Sequence, residues 1–482
     1  MKKIWLIILF FCSLRSEAYS GWMQLYGFDW NSFSSVQLTK DGGYIAGGST
    51  NCTGDWSGDP FLVKVNSVGN TLWEKTFIDT FIHYYANKIS CVIETSDSNY
   101  IVVGFIGSYA WVAKITPLQN TLWSKVFARD TIESYFFSVV ETDDKNYLIG
   151  GLAGSSHDRY DAWLVKMSSD GDTLWTKKFG QTGIDENIFN ISKTMDGNYV
   201  LAGATQEFSP PYYCYVWLYK VNSSGDSIWR KDYKDSLYYR EICSVIPTVN
   251  GGYLFTGRIT PNGEGQNTKG WFVKTGATGE IIWTKTLGDS FSNMFCSARQ
   301  TYDKGYILTG HTYSYGAGYA DIWLVKTDSL GDTTWMRTFG DSTTCEGAND
   351  VQLTTDGGYI LCGDYWERCA VLIKTDSLGN VAVEESSSPK SNPPSTTLRV
   401  NQNPFSQSTL ISYSVPPNNY YTNTLLTIYD LSGRCAKTLI NEQKPAGSYS
   451  ITLSANDLKT GVYFVKLKTG NYNITKKLIL MK

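Results

Sequence analysis

Short apolar segments alternate with glycine-rich turns along most of this chain, and the same order of segments recurs seven times. In the first copy, residues 35–39 and 44–48 flank an Asp-Gly turn, and residues 61–65 and 71–75 flank a Ser-Val-Gly-Asn turn. Such turns supply the positive φ angles that tight β-hairpins need. The third segment is apolar at successive positions, which suits a strand buried on both faces. Each repeat therefore predicts a four-stranded antiparallel sheet.

Three residue types mark the repeat and give its length. A tyrosine opens the second strand, a lysine lies in the third and a tryptophan lies in the fourth. Successive copies are about 52 residues apart, within the range of β-propeller blades. The pattern predicts an all-β fold, a seven-bladed β-propeller of four-stranded blades. The landmarks are Tyr44, Tyr100, Tyr147, Tyr199, Tyr253, Tyr306 and Tyr359, then Lys64, Lys114, Lys166, Lys220, Lys274, Lys326 and Lys374, then Trp22, Trp73, Trp123, Trp175, Trp229, Trp283 and Trp335.

The two ends of the array complement each other. Nine residues separate the repeat lysine from the next tryptophan in six copies, but nine residues after Lys374 the chain has Val383. The missing tryptophan strand is at the other end, where residues 21–27 match residues 174–180. We therefore predict that the N-terminal strand closes the ring, which removes exposed sheet edges. An open solenoid would leave this complementarity unexplained.

The N-terminus predicts export. Two lysines precede the apolar segment 4–12, and residues 16–18 offer small side chains for cleavage, so residues 1–18 are predicted to be a secretory signal peptide. Lipidation of Cys12 is disfavoured because Phe11 is bulkier than the usual preceding residue. No later apolar run reaches the length of a membrane span, so no transmembrane segment is expected after cleavage. The formal net charge of −3 argues against nucleic acid as a partner.

Loop lengths point to one working face. The second loop of each blade and the blade-to-blade connection vary in length, and in an up-and-down blade they lie on the same face, which we call the long-loop face. Variable loops on a rigid scaffold commonly carry binding. Aromatic rings there suit stacking on a glycan or capture of a surface protein, although packing of the loops against each other is the competing interpretation. The predicted ligand contacts are Tyr84, Tyr85, Tyr212, Tyr213, Tyr238, Tyr239 and Trp366.

No catalytic motif stands out. The chain lacks a G-x-S-x-G elbow, an H-E-x-x-H helix, a glycine-rich phosphate loop and a C-x-x-C pair, so no catalytic residue, metal or cofactor is predicted. The favoured interpretation is a non-catalytic binding or scaffold module. The alternative is a hydrolase or lyase that acts on a polysaccharide through paired loop carboxylates, for which Asp185, Glu186, Glu346 and Asp364 are among the candidates.

The mature chain has nine cysteines, so at least one lacks an intramolecular partner. Cys362 and Cys369 flank a six-residue loop between adjacent strands, and export permits a disulfide there. Cys243 and Cys296 each lie ten residues before the repeat tyrosine in adjacent blades. Free buried thiols are the favoured interpretation for that second pair.

The repeat resembles one found in secreted bacterial proteins of the Bacteroidetes type. Residues 161–166 and 321–326, both of the form Asp-x-Trp-Leu-Val-Lys, are the closest copies. The ending Gly-x-x-x-Trp, as in residues 279–283, is also similar to blades of quinoprotein alcohol dehydrogenases. That second likeness implies shared architecture and keeps a quinoprotein-like enzyme as an alternative. Those enzymes carry adjacent disulfide-linked cysteines, and this chain has no Cys-Cys pair.

A separate module follows the repeats. Residues 19–384 are assigned to the propeller, the Ser- and Pro-rich residues 385–397 to a linker, and residues 398–482 to a C-terminal domain. Its motifs, in order, strongly resemble the type A C-terminal sorting domain of type IX secretion, a small immunoglobulin-like β-sandwich. The resemblance implies export through Sec and the type IX machinery to the outer cell surface or the medium. The motif residues are Asn403, Pro404, Gly433, Gly461, Tyr463, Lys476 and Lys477.

Overall fold

A computed structural model gives the architecture. Two compact units divide the chain between residues 385 and 386, and each is described by itself. Among the described residues, no helix is long and apolar enough to cross a membrane. The structure describes residues 21–27, 31–50, 58–77, 87–127, 133–154, 159–180, 183–207, 214–235, 237–261, 267–289, 291–342, 344–365, 369–381, 398–401, 403–415, 422–430, 434–444, 447–469 and 472–481.

The first unit is a ring of seven four-stranded antiparallel blades, counted over the residues just given. The first strand, β1 (Trp22–Tyr26), belongs to blade 7. Blades 1 to 3 contain β2 (Ser32–Leu38), β3 (Tyr44–Thr50), β4 (Asp59–Val65), β5 (Thr71–Thr76), β6 (Lys88–Glu94), β7 (Tyr100–Ile106), β8 (Tyr109–Ile115), β9 (Thr121–Phe127), β10 (Ser134–Glu141), β11 (Tyr147–Ala153), β12 (Asp161–Met167) and β13 (Thr173–Phe179). Blades 4 to 7 contain β14 (Ile184–Lys193), β15 (Tyr199–Glu207), β16 (Cys214–Val221), β17 (Ser227–Tyr233), β18 (Tyr238–Pro247), β19 (Tyr253–Pro261), β20 (Asn267–Thr275), β21 (Ile281–Leu287), β22 (Phe291–Gln300), β23 (Tyr306–Thr312), β24 (Asp321–Thr327), β25 (Thr333–Phe339), β26 (Gly347–Leu353), β27 (Tyr359–Tyr365) and β28 (Cys369–Thr375).

The N-terminal strand closes the ring, as predicted. Strand β1 pairs antiparallel with β28, with a register that runs from Trp22 opposite Lys374 to Tyr26 opposite Ala370. Tyr26 is buried in a core cluster that combines residues of blades 1 and 7, including Phe33 and Leu372. The last blade is therefore built from both ends of the propeller sequence.

One aromatic contact repeats around the ring. Six of the seven outer-strand tryptophans pack against the repeat tyrosine of the next blade, with ring centroids 5.7 to 6.3 Å apart in the pairs Trp22–Tyr44, Trp73–Tyr100, Trp123–Tyr147, Trp229–Tyr253, Trp283–Tyr306 and Trp335–Tyr359. Trp22 also lies against Gly69, which has φ +85 and where a Cβ would come within 2.6 Å of the indole. The closing strand thus contacts blade 1 as the outer strands of other blades contact their neighbours.

An ion pair between the third-strand lysine and an aspartate of the first turn accounts for the recurrence of these two residue types in the repeats. In blade 1, Lys64 lies 2.9 Å from Asp41 of the first turn, and Thr39 donates a hydrogen bond to the same carboxylate. Although burial acts to raise it, hydrogen bonds from Thr39 and Lys64 lower the pKa of Asp41 to about 2. Blades 2, 3, 4, 6 and 7 repeat the pair as Lys114–Asp97, Lys166–Asp144, Lys220–Asp196, Lys326–Asp303 and Lys374–Asp356.

Blade 5 lacks this ion pair. Its turn has Asn250 where the others have aspartate, and the Nζ of Lys274 donates to the carbonyl of Thr275 at 2.6 Å. Lys274 is only 6% exposed, and burial lowers its pKa. A buried charged amine without a carboxylate partner lowers the stability of the folded state.

Replacing Asn250 by aspartate should therefore stabilise the propeller. We expect Asn250→Asp to raise the free energy of unfolding by about 1 kcal/mol at pH 7, because it supplies a charged acceptor to a buried amine. The gain is present above the pKa of an unfolded aspartate, about 4, and is lost as the pH falls toward that of the folded carboxylate. Chemical denaturation at pH 7 and pH 2.5 measures it. The mirror variant Asp196→Asn should lose stability at pH 7, and equal signs for the two variants would contradict this account.

The second unit is a two-sheet sandwich, which confirms the immunoglobulin-like prediction. One sheet has the order β29-β30-β33 and the other has the order β32-β31-β34-β35. Its core includes Ile411, Leu426 and Val465, which are buried between the sheets. The strands are β29 (Leu398–Asn401), β30 (Ser408–Val415), β31 (Thr422–Asp430), β32 (Cys435–Lys444), β33 (Gly447–Ser454), β34 (Gly461–Thr469) and β35 (Tyr472–Leu480), with a 3-10 turn at Ala455–Asp457.

Candidate ligand-binding surface and channel

The innermost strands of the blades surround a central channel. Every one of them carries a β-bulge at the residue ten positions before the repeat tyrosine, where the ladder skips one residue. Bulges commonly redirect a side chain, and these side chains line a cavity of about 340 Å³. We call them the bulge ring: Ser34, Ser90, Phe137, Phe189, Cys243, Cys296 and Asn349.

The bulge ring differs from blade to blade, unlike the scaffold positions. The repeat tyrosine and lysine are the same in all seven copies, and each makes the same structural contact in six of them. The bulge ring instead contains hydroxyl, phenyl, thiol and amide groups. A polar network next to it joins blades 6 and 7, where Asp350 accepts hydrogen bonds from Ser297 at 2.8 Å and Arg299 at 3.1 Å. The channel is therefore chemically asymmetric within a nearly symmetric scaffold.

Blades 4 to 6 project further than the others on the long-loop face. Strands β14, β18 and β22 have ten residues, whereas β2, β6 and β26 have seven. The number of residues between the β-bulge and the repeat tyrosine is the same in all blades. The extra residues of β14, β18 and β22 therefore lie at the other end of each strand, on the long-loop face. A short parallel pairing of Asn267 with Phe291 joins blades 5 and 6 there. The loop after β23 is attached to the same place, because the Tyr313 amide donates to the Ser292 carbonyl at 3.2 Å.

Large apolar side chains are exposed at this projection, and we call Leu237, Tyr239, Phe291 and Tyr319 the rim. Their exposed fractions are 68%, 37%, 58% and 60%. Phe291 also has φ +65, a left-handed conformation that is uncommon for a bulky residue. Strain of this kind concentrates at ligand sites and switch regions. Tyr239 and Phe291 of the rim lie on strands β18 and β22, whereas Leu237 and Tyr319 lie in the adjoining loops.

The structure places two of the seven predicted ligand contacts, Tyr238 and Tyr239, at the start of β18. Tyr239 belongs to the rim, while Tyr238 is half-buried with the Arg240 guanidinium 6.0 Å from its ring. Tyr84, Tyr85, Tyr212, Tyr213 and Trp366 lie outside the described residues, so their role stays a prediction. Sequence reasoning missed Phe291 and Leu237, and the length of the segment before the repeat tyrosine is the signal that would have indicated them.

Other aromatic residues of the long-loop face pack internally. Tyr160 donates a hydrogen bond to Glu133, and Tyr315 lies 5.5 Å from the ring of Trp323. Tyr313 packs edge-on against His311. Packing of the loops against each other, one of the two interpretations of the long-loop aromatics, therefore describes this group, whereas the rim side chains are exposed.

Arginine–carboxylate pairs flank the rim. Arg240 lies 2.8 Å from Asp235, and Arg258 donates a hydrogen bond to Glu241 at 2.5 Å. These pairs combine charge with planar hydrogen-bonding groups, which suits polar recognition beside an apolar surface.

Two buried carboxyl groups meet where blades 6 and 7 adjoin. Asp321 and Glu346 are each 1% exposed, and a Cβ on Gly340 would lie 2.2 Å from one carboxyl oxygen and 2.7 Å from the other. Burial, reinforced by Asp341 and Asp321, raises the pKa of Glu346 to about 7. A carboxyl group with such a pKa is a candidate proton donor. Among the described residues, no group of three or more His, Cys, Asp or Glu side chains is arranged to hold a metal ion.

The disulfide considered for Cys362 and Cys369 is not formed. The register places Cys369 opposite Tyr365, and Cys362 opposite Leu372. The Cys362 thiol donates to the Phe33 carbonyl at 3.8 Å, and that of Cys369 to the Gly27 carbonyl at 3.2 Å. The two sulfurs therefore point to different neighbours.

The sorting motifs join the two ends of the C-terminal unit. The side chain of Asn403 donates to the Lys477 carbonyl and accepts from the Ile479 amide, both at 2.8 Å. The bond between Asn403 and Pro404 is cis. Gly461 pairs with Leu480, and the Tyr463 hydroxyl donates to the Lys459 carbonyl at 2.8 Å. Lys476 and Lys477 are exposed on β35, and Gly433 lies outside the described residues.

These features define an exported β-propeller protein with a C-terminal sorting sandwich. Residues 402–481 match the family model described as the secretion system C-terminal sorting domain. The protein is therefore delivered by type IX secretion to the cell surface or the medium. No curated protein matches the sequence.

Solved structures similar to this chain include propeller-type folds of diverse function. A polysaccharide lyase, an ulvan lyase bound to -[GlcA(1-4)Rha3S]-, is 9% identical with a TM-score of 0.49 and covers 73% of this chain and 96% of its own. A puromycin hydrolase is 10% identical with a TM-score of 0.47, over 81% and 58%. Drosophila Plexin A in complex with Semaphorin 1b is 7% identical with a TM-score of 0.45, over 74% and 88%.

Proposed function

We propose that this protein is a non-catalytic binding module of the cell exterior that holds an extended glycan against the rim of blades 5 and 6. The observation that carries the proposal is the exposure of Tyr239, Phe291 and Tyr319 on the long-loop face. Rings held by a β-sheet scaffold lose little conformational entropy on binding, which favours recognition. The flanking Arg240 and Arg258 add hydrogen-bond donors for hydroxyl or acidic groups.

The expected affinity is modest. Each ring that stacks on a ligand is expected to contribute about 0.5–1.5 kcal/mol beyond the area it buries, by analogy with aromatic pairs. A few rings then give a Kd in about the micromolar to millimolar range. Many copies on one cell surface would raise the effective affinity for a polymer. A polymer with repeating units is therefore the ligand class that fits best.

The test is a glycan and protein array probed with the mature chain, followed by titration of any ligand found. Tyr239→Ala and Phe291→Ala should each weaken binding several-fold, by about 1 kcal/mol. Tyr302→Ala is the matched control, because Tyr302 is 83% exposed in the turn between β22 and β23, on the opposite face. Binding that survives both rim substitutions, or is lost equally in the control, would refute the assignment of the rim.

The second candidate function is cleavage of a polysaccharide, either by hydrolysis or by a lyase reaction. The pair of Asp321 and Glu346 favours it, because burial raises the pKa of Glu346 to about 7, in the range of a proton donor, and a second carboxyl group lies beside it. Release of reducing ends from polysaccharides incubated with the protein tests this function. Product formed by the native chain and lost in Glu346→Gln would establish catalysis in place of simple binding.

A further inference from the structure

Two members of the bulge ring are neighbouring thiols. Cys243 on β18 and Cys296 on β22 hold the same bulge position in adjacent blades. Each of the two thiols is the largest single influence on the pKa of the other, so the side chains are direct neighbours. Both side chains are partly exposed, and both line the channel cavity. Both thiols are free, as the sequence favoured, and the structure places them side by side.

The surroundings make the two thiols unequal. The Cys243 side chain is the main influence on Cys296, and with His311 it outweighs burial and lowers the pKa of Cys296 to about 6. The proximity of Cys296, together with burial, raises the pKa of Cys243 well above its usual value. Cys296 is therefore the thiol of the pair that ionises more readily. Thiolates, rather than thiols, attack disulfides.

The bulges leave these residues free to move slightly. A bulge residue has no partner in the ladder, so a small shift of Cys243 or Cys296 breaks no ladder hydrogen bond. Export also takes the chain into an oxidising environment where disulfides persist.

We propose that Cys243 and Cys296 are a redox-active dithiol that forms a disulfide between blades 5 and 6 by exchange with a small disulfide in the channel. This site is independent of the rim and of the proposed glycan binding. The cavity of about 340 Å³ limits the reacting partner to a small molecule.

The exchange balances in two steps. The Cys296 thiolate attacks one sulfur of the small disulfide, whose S–S bond breaks and releases one thiolate. Cys243 then loses its proton to that thiolate and attacks the sulfur of Cys296, which releases the second half of the small disulfide. Two protein thiols are oxidised to one disulfide, and one small disulfide is reduced to two small thiols. The charged and titratable groups around the two sulfurs are His311, Asp364, Lys88, Glu241 and Arg258.

The experiment treats the reduced mature chain with hydroxyethyl disulfide, blocks the remaining thiols with N-ethylmaleimide and maps the peptides by mass spectrometry. We expect a Cys243–Cys296 cross-link in the native chain. In Cys243→Ser, the exchange should stop at a mixed disulfide on Cys296. In Cys296→Ser, neither product should form at a comparable rate. These variants separate a dithiol from two independent thiols.

Cys91 is the internal control. It lines the same cavity, but burial raises its pKa to about 11. At pH 6.5, Cys296 should react about tenfold faster than Cys91 or more, because only Cys296 is largely thiolate. Equal rates for the two cysteines, a cross-link between other cysteines, or no Cys243–Cys296 cross-link at full oxidant consumption would overturn the proposal.

Discussion

A chain that lacks residues 19–27 should melt well below the full-length mature protein. The deletion removes β1, so β28 loses its ladder partner and blade 1 loses the packing of Trp22 and Tyr26. Burial of the Trp22 side chain alone is worth about 2–3 kcal/mol. With Tyr26 and the exposed edge of β28 added, we expect a loss of at least about 4 kcal/mol, which lowers the Tm by roughly 10 °C.

Complementation distinguishes ring closure from a general effect of shortening. A synthetic peptide of residues 19–31, added to the deleted chain, should bind at the open edge and recover much of the lost Tm. A peptide with Trp22→Ala should recover less. Trp175→Ala in the full chain is a matched comparison, since Trp175 is the same position in another blade and packs on Gly225. An unchanged Tm after the deletion would show that the ring closes without β1.

The fold was readable from the sequence because the same few contacts recur. In six of the seven blades the third-strand lysine pairs with a turn aspartate, so the contact seen between Lys64 and Asp41 recurs around most of the ring. Trp22 was recognisable as a displaced blade residue for the same reason. A pattern that predicts structure weakly in one blade predicts it strongly when it recurs in seven, because each blade must pack against a neighbour of the same construction.

The candidate sites were less readable because they depend on departures from the repeat. Phe291 became visible only when β22 proved longer than the innermost strands of other blades, and its strained φ has no mark in the sequence. Cys243 and Cys296 share a repeat position, but their contact depends on the bulge that turns both side chains into the channel. Sequence gives position within a blade and leaves the direction of a bulged side chain undetermined.

The protonation of Glu346 likewise depends on which side chains lie beside it, and the sequence alone does not show these. Thirteen residues before the repeat tyrosine, blade 4 has Glu186 and blade 7 has Glu346. Glu186 accepts a hydrogen bond from Arg230 at 2.7 Å, and Arg230 directly follows the repeat tryptophan. The residue at that position in blade 7 is Met23, contributed by β1. Glu346 therefore faces Asp321 in place of an arginine, and its Oε2 accepts no hydrogen bond within the described residues.

Replacing Glu346 by glutamine should consequently stabilise the protein at alkaline pH. An unfolded glutamate has a pKa of about 4.3, whereas the folded group has one of about 7, so the native state binds an extra proton between these values. The free energy of unfolding therefore falls as the pH rises through that window, by up to about 3 kcal/mol, and no such fall occurs below it.

Glu346→Gln removes this loss, because the carboxamide stays neutral and can donate to Asp321. We expect the variant to match the native protein at pH 4 and to exceed it by about 2–3 kcal/mol at pH 8.5, as measured by urea denaturation at both values. Glu186→Gln is the control at the equivalent position. It should be destabilising at pH 8.5 by about 1–3 kcal/mol, since it takes a charged acceptor from Arg230. Opposite signs for two identical substitutions in equivalent positions would support the role of Arg230 in setting the charge of the carboxyl group, and equal signs would refute that explanation.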